Sequence, residues 1–115
     1  LMVSAGCIFK SLRKCQKKES LCYLKDRYGK RFAVRNYCTD CYNILYNSSP
    51  LALFGMRQEV ESIHPKSLRM QFTTESVKET EKILSFFEKI YIQKGKWEQN
   101  DWKDYTNGHM KRGVE

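Results

Sequence analysis

The residues best suited to chemistry are five cysteines, Cys7, Cys15, Cys22, Cys38 and Cys41, all within the first 41 positions. The sharpest local pattern is Cys38-Thr39-Asp40-Cys41. Two residues between cysteines let both thiolates turn toward one ion, and Cys7 and Cys15 can supply a second pair. Four thiolates suit zinc, at about 2.3 Å per bond, or an iron–sulfur cluster. The spacing does not choose between them. CxxC pairs are common in zinc ribbons, Cys7-x7-Cys15 is wide for one, and a cluster tolerates irregular spacing better than a single ion. Cys22 is the leftover thiol, either a small hydrophobe in a strand or a replacement for Cys15 as ligand.

With no secretion signal, a reducing cytoplasmic setting is expected, where clustered cysteines favour metal over disulfides. Ser4-Ala5-Gly6-Cys7 superficially resembles a lipoprotein cleavage site. It lacks the basic leader and the apolar stretch of about 7–15 residues that such a signal requires. No apolar run approaches the ~18 residues of a membrane span, so no membrane partner is expected.

Charge accumulates around the same cysteines. Residues 1–35 hold ten Lys or Arg against Glu19 and Asp26, a local excess of +8 that equals the net charge of the whole chain. Lys10, Arg13, Lys14, Lys17, Lys18, Arg27, Lys30 and Arg31 are therefore the candidate nucleic-acid contacts, with RNA the partner such a patch attracts through its phosphates. The same cations would offset a four-thiolate centre, or form an ordinary solvated surface. His64 and His109 are able to ligate zinc or act as bases, but their settings, before Pro65 and in a Gly-rich basic tail, favour structural roles. No HExxH, GxSxG or phosphate-binding glycine loop is present, so the residues alone define no complete catalytic site.

The elements that must position these groups follow from hydrophobic periodicity. Leu1–Ala5 reads as a buried strand already in progress, which leads us to expect further chain upstream. Residues 8–20 read as a loop or one helical turn. Residues 21–37 read as a β-hairpin turning at Asp26–Lys30, with Gly29 at the position that needs positive φ. Tyr42–Ser49 reads as a connector. Ser49-Pro50 starts a helix, carried by Leu51, Phe54, Val60 and Ile63 and stopped at His64-Pro65. Leu68, Met70 and Phe72 alternate as a strand, and Ser76-Val77-Lys78-Glu79 opens a helix in capping-box form that runs to about Gln93. Trp97, Trp102 and Tyr105 lie in a polar wrap or linker. Strand–helix–strand–helix order implies an α/β fold with a parallel sheet and right-handed crossovers, and a cysteine insertion at its functional rim.

Several segments together resemble the collagenase-like peptidase family, number thirty-two among peptidases of unassigned mechanism. They are Met2-Val3-Ser4-Ala5-x-Cys7, Leu24-Lys25-Asp26-Arg27-Tyr28-Gly29, Cys38-x-x-Cys41-Tyr42-Asn43, Leu68-Arg69-Met70-x-Phe72-Thr73 and Tyr105-Thr106-x-Gly108-His109-x-Lys111-Arg112-Gly113-Val114-Glu115. The resemblance covers nearly the whole chain and departs from the family pattern at Asn107 and Met110. It implies a partial TIM-barrel-like fragment: residues 1–94 as the C-terminal part of the family domain, an insertion at 7–41 and a polar tail at 95–115. The N-terminal remainder of the same protein then becomes a partner, and the chain alone is expected to be inactive. It also implies a family-type four-cysteine set on Cys7, Cys15, Cys38 and Cys41. Family members are labelled proteases, and some support hydroxylation of RNA bases with a 4Fe-4S cluster on cysteines. Three functions follow as expectations: a peptidase, an iron–sulfur protein of RNA modification, and a structural zinc module.

Overall fold

The structure, a computed structural model, describes residues 1–12, 14–15 and 17–110. The chain is a mixed α/β protein with a four-stranded antiparallel sheet and three α-helices among the described residues. It divides into two compact units, Leu1–Ser48 and the chain from Ser49 onward.

The first unit is the sheet. Strands β1 (Met2–Ser4), β2 (Leu21–Lys25), β3 (Arg31–Tyr37) and β4 (Tyr42–Leu45) lie in the order β1-β4-β3-β2. The hairpin forms as its alternation predicts, with Leu21 opposite Arg35 and Lys25 opposite Arg31. Asp26 holds its turn, its carboxylate accepting from the backbone N–H of Tyr28 and Lys30 at 2.8 Å each. Gly29 takes φ +82° there, a conformation that costs a residue with a Cβ. Helix α1 (Ile8–Leu12) is the single turn expected after Cys7.

Three expectations are corrected in this unit. The sheet is antiparallel: short turns join β2 to β3 and β3 to β4, and β1 pairs antiparallel with β4 at the edge. Tyr42–Leu45 is a strand, not a connector, since it pairs with β3 on one side and β1 on the other. Its asparagine, which suggested a loop, is fully buried at 0 % exposure. β1 is a strand but not a buried one: it is a sheet edge, with Met2 and Val3 57 % and 63 % exposed.

The second unit is helical and aromatic. Helix α2 (Arg57–Ser62) follows a 3-10 turn at Phe54–Met56, and α3 (Val77–Phe87) continues through a π-helical turn at Glu88–Ile92. The capping box is present: Ser76 Oγ accepts from Glu79 N–H, and the Glu79 carboxylate accepts from Ser76 N–H at 2.7 Å. The core gathers Ala52, Phe54 and Ile90, with Ile83, Phe86, Phe87, Tyr91, Trp97, Trp102 and Tyr105 packed against them. The Phe54 ring lies 5.2 Å from Trp97 and 6.0 Å from Phe86, so the polar stretch after residue 95 wraps the core through its tryptophans.

Two expectations fail here. Pro50 does not start a helix. Thr106 N–H donates to Pro50 C=O, and Ala52 N–H donates to Thr106 C=O, each at 2.9 Å, which commits this backbone to a parallel bridge at Leu51. Leu68–Phe72 forms no strand, since no strand pairs with it among the described residues. Instead Leu68, Met70 and Phe72 line a groove with Phe54, Val60 and Phe87. No helix among the described residues is long and apolar enough to cross a membrane.

Candidate metal centre

Antiparallel topology decides where the cysteines go. β1 and β3 run one way and β2 and β4 the other, so the ends of β1 and β3 share one end of the sheet with the starts of β2 and β4. Cys7 follows β1, Cys15 precedes β2, Cys38 follows β3 and Cys41 precedes β4. All four thus come to one end of the sheet, where Cys7, Cys15, Cys38 and Cys41 line a single open cavity of about 860 Å³. Cys22 lines an adjoining cavity that Cys7, Cys15 and Cys38 also line.

Each approach is held by short-range bonds. Cys7 C=O accepts from Ser11 N–H at 3.2 Å and from Ser11 Oγ at 3.3 Å. In the tight turn between β3 and β4, Cys41 has φ +53° and its Sγ donates to Cys38 C=O at 3.7 Å. Beneath the cavity, two buried asparagines face each other across β3 and β4, Asn36 opposite Asn43. Asn43 Nδ2 donates to Gly6 C=O at 2.9 Å, fixing the residue before Cys7. Asn36 Nδ2 donates to Cys38 Sγ at 3.1 Å and to Lys18 C=O at 3.0 Å. Tyr37 and Tyr42 stack at 4.8 Å on the cavity wall.

The electrostatics record the same convergence. Desolvation pushes the Cys38 thiol above its ordinary pKa, and the neighbouring Cys15, Cys7 and Cys41, then Glu19, push it further in the same direction. A negative charge on Cys38 is therefore disfavoured unless something positive enters the cavity. Lys10 and Lys17 line that cavity, while Lys14 and Lys18 line the adjoining one. Arg27 and Arg31 lie in the hairpin instead, over the rings of Tyr28 and Tyr23 at 4.7 and 4.4 Å. Lys30 closes the hairpin turn through its backbone. Arg13 lies outside the described residues, as do Lys111–Glu115 of the terminal motif.

The donor set has a definite size. Among the described residues, no three Cys, His, Asp or Glu side chains are arranged to hold one metal ion. The thiols line a common space without closing on a point. Four soft sulfur donors around an open cavity are of the type that would hold an iron–sulfur cluster or zinc. Zinc would require the four to close further, to about 2.3 Å around one centre.

Sequence reasoning missed the asparagines. The available signal was polar residues inside the strands, since Asn36 continues the inward register of Phe32 and Val34. Comparison of the chain with protein-family models, with curated proteins and with solved structures finds no match.

Proposed function

We propose that this chain carries a thiolate-ligated metal centre, a 4Fe-4S cluster on Cys7, Cys15, Cys38 and Cys41, within a larger barrel-like α/β protein of the collagenase-like peptidase type. The observation that carries the proposal is the single cavity lined by those four cysteines, two from the β1–β2 connection and two from the β3–β4 turn. When bound, the cluster supplies one-electron chemistry and a rigid crosslink among the strand ends. The residues of the chain hold and orient it: Cys38 and Cys41 through the β3–β4 turn, Cys7 through Asn43 and Ser11. Lys10 and Lys17 offset the negative charge of four thiolates. The peptidase label rests on resemblance alone.

Anaerobic reconstitution of the full chain with ferrous iron and sulfide tests this. A cluster gives a brown protein with broad visible absorption and about four irons per chain. A colourless protein holding one zinc would replace the cluster with the structural zinc module. Cys38→Ser should lose the metal, and unchanged metal content in that variant would remove Cys38 from the ligand set.

A second reading, support of RNA-base hydroxylation, is favoured by the +8 excess that residues 1–35 concentrate around the thiols. It predicts nuclease-sensitive RNA that copurifies with the chain and is shed as salt rises.

A further inference from the structure

We infer that Asn36 is a positioning residue of the thiolate centre. It fixes the Cys38 sulfur by an N–H···S hydrogen bond and ties down the segment that follows Cys15. The inference rests on the four-cysteine reading above.

Asn36 sits next to last in β3 with 4 % of its surface exposed, between the strand's buried Val34 and the Cys38 turn. An amide offers two N–H donors and two acceptor lone pairs, and burial is costly unless they are used. Here all four are used. Nδ2 donates to Lys18 C=O at 3.0 Å and to Cys38 Sγ at 3.1 Å. Oδ1 accepts from the backbone N–H of Ser20 and from Ser20 Oγ, the latter at 3.2 Å. The orientation of the amide is fixed by these partners. Turning it over would set its oxygen against the Lys18 carbonyl and its N–H₂ against the Ser20 N–H. Asn36 N–H also donates to Ser20 C=O at 3.2 Å, so backbone and side chain grip the same segment.

This one side chain therefore touches one of the four cysteines and the chain that follows another. It touches Cys38 directly, and it anchors Lys18 and Ser20, which lie shortly after Cys15 on the path into β2. An N–H aimed at sulfur stabilises the thiolate over the thiol and withdraws charge from any metal bound to it. Hydrogen bonds to ligating sulfurs are one of the levers that set cluster potentials. A purely structural asparagine would need only the Lys18 and Ser20 contacts. The bond to Cys38 Sγ is the one those contacts do not explain.

The test uses the full chain loaded with cobalt(II), whose thiolate charge-transfer band reports the sulfurs directly, and separately with a reconstituted cluster. Asn36→Asp keeps the size and the acceptor toward Ser20 but replaces the donor to sulfur with a carboxylate oxygen. Cobalt affinity, measured by chelator competition, should fall about 10- to 100-fold. The charge-transfer band should move, and the cluster potential should become more negative. Ser20→Ala, which loosens the clamp but leaves the N–H···S bond, should lower thermal stability without moving band or potential. If Asn36→Asp does not fold, Asn36→Thr decides, since a β-branched residue suits a strand and cannot reach the sulfur. A folded variant with wild-type affinity, band and potential would overturn the role of Asn36 while leaving the centre intact. A wild-type chain that takes up neither cobalt nor iron would overturn both.

Discussion

Removing metal should loosen the sheet and leave the aromatic unit standing. Among the described residues of the first unit, Leu1–Ser48, the buried apolar side chains are Ala33 and Val34, and the other two buried residues are Asn36 and Asn43. The second buries Ala52, Phe54, Met56, Val60 and Ile90. Domains near the lower size limit that lack an adequate core usually need a metal or a disulfide, and in such units metal-binding energy is folding energy. At free metal 1,000 times its dissociation constant, binding to the folded state alone adds about 4 kcal/mol. A small domain shifts its midpoint by about 4–8 °C per kcal/mol, so chelation should lower the melting of the sheet by roughly 15–30 °C. Two readouts separate the units. The chain's two tryptophans, Trp97 and Trp102, both lie in the second. Amide hydrogen exchange at Val34, Asn36 and Ile44 reports the sheet. Chelator should speed exchange at those amides and leave the tryptophan fluorescence transition in place. Equal exchange with and without chelator would show that the thiols do not hold a stabilising metal, and the reasoning would fail.

Three further outcomes are expected. Phe54→Ala removes the ring around which Phe86, Tyr91, Trp97 and Trp102 are arranged, and should cost about 3–5 kcal/mol by urea unfolding followed through tryptophan fluorescence. Ser76→Ala removes the N-cap of α3 and should cost about 1 kcal/mol. The backbone N–H and then the side chain of Ser76 hold the Glu79 carboxyl below its ordinary 4.5, so its contribution is present above that pH and lost as pH falls through the lower, folded value. The acid limb of a thermal-melt series should therefore be shallower in Ser76→Ala than in wild type. Cys22→Ser should keep full metal content, because Cys22 lies off the cavity that the other four share; halved or absent metal would make Cys22 a ligand.

Local chemistry was legible wherever it was self-contained. The Asp26–Lys30 turn, the capping box at Ser76 and the stop before Pro65 depend on residues within a few positions of one another, and each appears where the sequence puts it. Elements whose state is set by distant partners were not legible. Ser49-Pro50 has the chemistry of a helix start, yet Thr106, more than fifty residues away, takes its backbone into a bridge. Leu68–Phe72 has the alternation of a strand, but among the described residues no strand pairs with it, so its apolar side chains line a groove instead. Tyr42–Leu45 reads as a connector because the acceptor for Asn43 Nδ2, the Gly6 carbonyl, lies 37 residues away in sequence.

The four cysteines come to one end of the sheet through a topology other than the expected one. A parallel sheet would gather only residues that follow strands, which accounts for Cys7 and Cys38 but leaves Cys15 and Cys41, which precede strands, at the opposite end. An antiparallel sheet brings strand ends and strand starts together, and its alternation sorts all four to one side. The two-residue spacing of Cys38 and Cys41 is then the length of a β3–β4 turn, and both line one cavity because the strands on either side are paired through Tyr37 and Tyr42. The same logic explains the asparagines. At this end of the sheet Asn36 and Asn43 are polar enough to bond the incoming segments and buried enough to fix them.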